Sequence, residues 1–197
     1  MSAWDALARS ARLLAESTPG DVAAPFLAEW PVAITHRDVA PATLPVLRWL
    51  PDIVSRAPAG SLQELVRQLC AASDHCRWRQ TYRPGEIAAS FLERYGWCEL
   101  LGSSGPICCD SLLCGFLLLG PDTLYPSHSH RAEELYVPLS GAAAWQRGAG
   151  PFVEREPGAT ILHRSMEPHA TRTGSAPLLA MYLWRGPGLS ARAQLRV

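Results

Sequence analysis

The spacing of apolar and polar residues changes character near residue 78. Ahead of that point apolar positions recur at helical intervals. Trp4, Leu7, Ala8, Ala11 and Leu14 form one stripe, with Ser2 placed as an N-cap. Prolines break residues 18–60 into short helical pieces, including 43–56. Ser61-Leu62-Gln63-Glu64 has the order of a capping box, and Leu62, Leu65, Val66 and Leu69 follow on one stripe. Residues 1–77 therefore read as a helical extension packed on the outside of a larger fold, with a lid or dimer surface as the alternative.

Beyond residue 78 the pattern becomes short apolar or alternating runs bounded by Gly and Pro. These predict strands at 78–82, 98–101, 112–119, 133–139, 142–147, 151–155, 159–163, 169–173 and 177–185, with one helical piece at 87–95. Ser140-Gly141 and Glu156-Pro157-Gly158 supply tight turns. Many short, evenly spaced strands make residues 78–197 a sandwich or small barrel, so the chain is mainly β with a helical N-terminal segment.

Composition narrows the function classes. A chain of 197 residues with 48% hydrophobic content suits one domain, or one domain with an extension. No stretch approaches the roughly 18–20 consecutive apolar residues of a membrane span, and Met1-Ser2-Ala3-Trp4-Asp5 lacks the basic-then-apolar layout of a secretory signal. The 18 basic and 18 acidic residues are dispersed, which argues against nucleic acid or an anionic membrane as partner. Six cysteines without paired CxxC spacing indicate free thiols in a reducing cytoplasm, with Cys108-Cys109 a packing feature. No Ser-His-Asp order, phosphate loop or dinucleotide glycine pattern stands out; Gly148-Ala149-Gly150-Pro151 reads as a hairpin turn.

The chemistry concentrates in His128-Ser129-His130-Arg131-Ala132-Glu133-Glu134-Leu135-Tyr136, with His169 downstream. Residues 128, 130, 134 and 136 share a parity, and side chains of one parity share a strand face. Two imidazoles, a carboxylate and a phenol converging in this way outline a metal site beside an ionisable phenol. Glu133 has the opposite parity and faces outward. His169 requires a neighbouring strand to bring it in.

His128-x-His130-x3-Glu134-x6-Gly141 resembles the first metal motif of the cupin superfamily, and Gly158 through Pro168-His169 resembles the second, with its eleven-residue step from glycine to histidine. The departures are Ala159 where Asp is common, Thr173 where Asn is common, and Gly120 too far upstream of the first motif. His163 falls where cupins carry an apolar strand residue, so it is assigned a supporting or structural place. More closely, Tyr125-Pro126 through Tyr136, Leu139-Ser140-Gly141, Trp145 and the segment from Pro177 to Gly186 resemble the cupin-type dimethylsulfoniopropionate lyases over roughly residues 78–186.

The resemblance implies a double-stranded β-helix (cupin) barrel behind an N-terminal helical segment. It also implies one divalent metal on His130, Glu134, Tyr136 and His169, with His128 in or beside that shell. By the same resemblance Tyr136 is the general base, and Tyr125 and Trp184 contact substrate. Zinc, iron, manganese, cobalt and nickel all suit such ligands. A cationic sulfonium seeks aromatic faces, which adds Tyr182 to the substrate candidates and leaves Trp145 to packing. The expected reaction is β-elimination of dimethyl sulfide, leaving acrylate, from a small-molecule substrate, by a monomer or homodimer. An iron-dependent dioxygenase and a non-catalytic small-molecule-binding cupin are the alternatives, since fold alone does not choose among them.

Overall fold

The computed structural model describes residues 2–196, and the change of pattern near residue 78 is a change of architecture. Helices α1 (Ala3–Glu16), α2 (Ala24–Leu27), α3 (Leu50–Arg56) and α4 (Ser61–Ala72) come first, with α3 continuing a 3₁₀ turn at Pro45–Trp49. Ser2 caps α1: its hydroxyl accepts the Asp5 N–H, and the Asp5 carboxylate accepts the Ser2 N–H in return. The capping box expected at Ser61–Glu64 does not form. Gly60, at φ 106°, is the N-cap, Ser61 already lies in the helix, and the Glu64 carboxylate instead meets Gln68 at 2.9 Å.

Two sheets make the barrel. The first has six strands, β1 (Tyr95–Gly102), β2 (Ile107–Cys108), β3 (Leu112–Leu119), β5 (Glu133–Ser140), β8 (Ile161–His163) and β10 (Leu178–Arg185), in the order β2-β1-β3-β10-β5-β8. The second has β4 (Leu124–Ser129), β6 (Ala143–Arg147), β7 (Val153–Arg155), β9 (His169–Thr173) and β11 (Gln194–Leu195), in the order β11-β4-β9-β6-β7. Pairing is antiparallel except between β1 and β2. This is the double-stranded β-helix of a cupin, as expected from the motifs.

The six-stranded sheet is buried on both faces, which explains the unbroken apolar run of β3. Leu112, Cys114, Phe116 and Leu118 point outward, into a core shared with Leu7 and Ala11 of α1 and Leu65 and Leu69 of α4. Leu113, Leu117 and Leu119 point inward, towards Tyr125 and Tyr136. β10 divides the same way, Leu179, Met181 and Leu183 meeting the helices and Ala180 and Tyr182 the interior. Each fully buried leucine contributes about 1.5–3 kcal/mol, which holds these helices against the outer face of the sheet. The Ser140 hydroxyl adds a hydrogen bond to the Ile53 carbonyl at 2.7 Å, pinning α3 to the end of β5.

Other local expectations also differ from the structure. Within residues 78–82 Arg79 alone forms a bridge, with Trp97, because the chain there crosses from the helices to β1. The helical piece at 87–95 shrinks to α5 (Ala89–Leu92), and Tyr95 already opens β1. β4 lacked a strand signal, since Pro126, Ser127, His128 and Ser129 interrupt apolar alternation; pairing with β9 makes it a strand.

Candidate metal centre and substrate pocket

The residues of one parity come from two strands and the turn between them. His128 is on β4, His130 follows that strand, and Glu134 and Tyr136 lie on one face of β5. Antiparallel pairing of β4 with β9 sets His169 opposite His128. Within the other sheet Glu134 has His163 of β8 on one side and Trp184 of β10 on the other, and Tyr136 has Tyr182 as its β10 neighbour. Both sheets therefore contribute to one interior site.

The ligand atoms of His130, Glu134 and His169 all lie within 4.8 Å of one another, and all three residues are buried. His130 Nε2 is 2.9 Å from Glu134 Oε2, and His169 Nε2 is 3.2 Å from the same oxygen. Each histidine uses its other nitrogen on a backbone carbonyl two residues away: His128 on Pro126 at 2.9 Å, His130 on Ala132 at 2.9 Å and His169 on Glu167 at 2.8 Å. Spending Nδ1–H in this way fixes the tautomer and turns the Nε2 lone pair inward, as imidazole ligands require. A neutral His130 then faces Glu134 acceptor to acceptor, and His169 Nε2 is buried without a hydrogen-bond partner. A cation satisfies both, so the donor set fits a divalent metal. His128 stands beside the three, its ring edge-on to His169 at 4.2 Å between centroids.

Electrostatics follow burial. Burial opposes ionisation of Glu134, but the proximity of the His130 and His169 imidazoles outweighs it and holds the carboxyl well below its usual range. Burial also works against the His130 imidazolium, and Glu134 reverses this to raise it. His128 is pushed down to about 3, first by burial and then by His169. Burial and then the Glu134 charge hold the Tyr136 phenol well above the ordinary tyrosine range.

A cavity of about 340 Å³ opens on this cluster, lined by Tyr125, His128, Glu134, Tyr136, Tyr182 and Trp184. Trp184 donates its indole N–H to Glu134 Oε1 at 2.5 Å and stacks on His130 at 4.0 Å between centroids. Tyr125 stacks on His128 at 4.0 Å. Trp145 is buried against Tyr136 away from the cavity lining, and His163 is buried with its ring parallel to His169 at 4.0 Å. Sequence reasoning missed Thr81, Tyr95 and Trp97, which also line the cavity, and the segment 189–193 that roofs it. Tyr95 and Trp97 alternate with Cys98 and Leu100 along β1, which was the available signal. The segment 189–193 carried none, having no periodicity.

Fold and site define a cupin with a three-residue group that could hold a metal, beside a cavity lined by a phenol and aromatic walls. A family model described as dimethylsulfoniopropionate lyase matches residues 22–180, and the chain belongs to that family. It is 33% identical to the dimethylsulfoniopropionate lyase DddQ of Ruegeria pomeroyi over 159 residues, 79% of this chain and 77% of that protein. It is also 33% identical to a putative dimethylsulfoniopropionate lyase DddL of Cereibacter sphaeroides, covering 76% of this chain and 62% of that protein. Among solved structures, the crystal structure of DddQ from Ruegeria pomeroyi aligns at a TM-score of 0.88 with 30% identity, over 98% of this chain and 95% of that one. A chain from the crystal structures of the lyases RdDddP and RnDddQII aligns at 0.88 with 34% identity, over 99% and 98%.

Proposed function

We propose that this chain cleaves dimethylsulfoniopropionate to dimethyl sulfide and acrylate by metal-dependent, base-catalysed β-elimination. The observation that carries the reading is the clustering of His130, Glu134 and His169 beside a cavity lined by Glu134 and Tyr136, in a chain of this family.

His130, Glu134 and His169, with Tyr136 and His128 adjoining, would hold a divalent cation, which would supply Lewis-acid charge beside the phenol and the substrate carboxylate. Tyr136 is the base. Its phenolate oxygen takes the proton on the carbon next to the carboxylate, the C–H electrons become the new C=C bond, and the C–S bond breaks. Dimethyl sulfide leaves neutral and so needs no acid, while acrylate keeps the carboxylate. Burial and Glu134 both favour the protonated phenol, so Tyr136 acts as a base only with positive charge beside it. Tyr182 and Trp184 offer aromatic surface to the sulfonium, and Tyr125 and His128 complete the substrate contacts.

The test loads the purified protein in turn with zinc, iron, manganese, cobalt and nickel and measures headspace dimethyl sulfide from supplied substrate. Gas released by the loaded protein and lost on chelation is the expected result. No gas from fully loaded protein sinks the substrate assignment, and oxygen uptake in its place selects the dioxygenase alternative.

A further inference from the structure

A chain of hydroxyl groups runs along one wall of the cavity and ends on Tyr125. The Trp97 indole N–H donates to Thr81 Oγ1 at 3.1 Å, Thr81 Oγ1 is 2.7 Å from the Tyr95 hydroxyl, and the Tyr95 hydroxyl is 3.4 Å from that of Tyr125. Tyr95 and Tyr125 are 1% and 4% exposed, so these groups depend on each other for partners. The indole nitrogen can only donate, so Thr81 Oγ1 accepts from Trp97. Either hydroxyl can donate in the Thr81–Tyr95, Tyr95–Tyr125 and Tyr82–Tyr125 contacts, the last at 3.5 Å. The arrangement in which Thr81 donates to Tyr95, and Tyr95 and Tyr82 donate to the Tyr125 oxygen, is the one that frees the Tyr125 O–H for a ligand in the cavity that Tyr125 lines.

The rings bear this out. Tyr125 has His128 stacked on it at 11° and 4.0 Å, with Tyr95 and Phe91 at 5.0 Å and 5.5 Å. Its faces are occupied, so it meets a ligand through its hydroxyl edge rather than its π surface. A hydroxyl that presents a proton recognises an acceptor, which in a zwitterionic substrate is the carboxylate.

We propose that Tyr95, oriented by Thr81 and Trp97, is a positioning residue that aims the Tyr125 O–H at the carboxylate of the substrate. The inference rests on the lyase reading for the identity of that substrate. Tyr95→Phe keeps the ring that stacks on Phe91 at 4.7 Å and removes only the hydroxyl; Thr81→Val and Thr81→Ser remove and retain the hydroxyl one step earlier.

The experiment measures steady-state release of dimethyl sulfide and, by calorimetry, acrylate affinity of the same metal-loaded proteins. Because the carboxylate is held in substrate and transition state alike, KM and the acrylate Kd are expected to rise together, about tenfold, in Tyr95→Phe and Thr81→Val, with kcat within about threefold. Thr81→Ser is expected to match the parent, and Tyr95→Phe to add nothing in a Tyr125→Phe background. A merely structural role would reduce the yield of folded protein and leave KM and Kd unmoved. Unchanged constants in Tyr95→Phe, additive losses in the double variant, or a Thr81→Ser as impaired as Thr81→Val would overturn the proposal. If the parent binds acrylate but releases no gas, the lyase reading fails while the calorimetric series still decides the role of Tyr95. A parent that binds no acrylate overturns the inference directly.

Discussion

Trp184 donates to the Glu134 oxygen that His130 does not meet, so the two carboxylate oxygens have different partners: Oε1 takes the indole at 2.5 Å and Oε2 faces the imidazole at 2.9 Å. The indole thereby fixes the orientation in which Glu134 offers Oε2 to a cation. Trp184→Phe preserves an aromatic ring over His130 and removes the hydrogen bond. Metal affinity is expected to fall about tenfold, within the range for partners that orient metal ligands, as measured by competition with a chromogenic chelator. An unchanged affinity would make the indole a wall of the cavity and nothing more.

Removing the Glu134 charge itself is expected to have a larger effect than removing its support. Glu134→Gln keeps the shape but deletes the charge that His130 and His169 face at 2.9 Å and 3.2 Å. Elemental analysis after dialysis is expected to show metal content below about a tenth of the parent's, beyond the tenfold loss expected for an orienting partner.

How far the sequence revealed this site depended on how local each signal was. β3 and β9 were located to the residue: one is an apolar run buried on both faces, the other a segment of fixed distance from a turn glycine. β4 was invisible because its register comes from β9, some forty residues away, rather than from its own alternation. The shared parity of His128 to Tyr136 picked out residues that the fold brings close together, but by an incomplete route, since a turn separates His130 from Glu134. Thr81, Tyr95 and Trp97 were out of reach for a related reason. Their hydroxyl and indole groups meet only once β1 is folded against the segment near residue 80, and a tyrosine in a strand is otherwise indistinguishable from core.

Gly141 closes the turn after β5 at φ +80°, and a Cβ there would lie 2.0 Å from the Pro177 carbonyl oxygen. Both the left-handed backbone and the backbone contact penalise a side chain. Gly141→Ala is expected to lose about 2 kcal/mol or more of stability in chemical denaturation, and a loss under about 0.5 kcal/mol would mean that the turn relaxes.

His163 is fully buried, and neither ring nitrogen has a hydrogen-bond partner. Burial, then the neighbouring His169, pushes it down to about 2 from an ordinary 6.5. The unfolded chain therefore binds one more proton at this residue between those two values. The stability contributed by keeping the ring neutral is complete above pH 6.5 and is lost as pH falls towards 2, at about 1.4 kcal/mol per pH unit. In metal-free protein, His163→Phe should keep the stack on His169 and flatten the acid limb of stability against pH by about one proton. Denaturation midpoints at several pH values between about 4 and 6 check this; an unaltered slope would mean that His163 takes up its proton within the fold.

The central claim is that Tyr136 removes the substrate proton while the adjoining residues hold the metal, and Tyr136→Phe tests it most directly. The variant keeps the ring that packs on Trp145 at 4.9 Å and deletes the one oxygen assigned as base. Dimethyl sulfide release is to be measured on parent and variant brought to equal, independently determined metal content. The expected result is near-parental metal binding with turnover reduced at least about a thousandfold, in keeping with the size of general-base contributions. Turnover within about tenfold of the parent at equal metal loading would contradict the account.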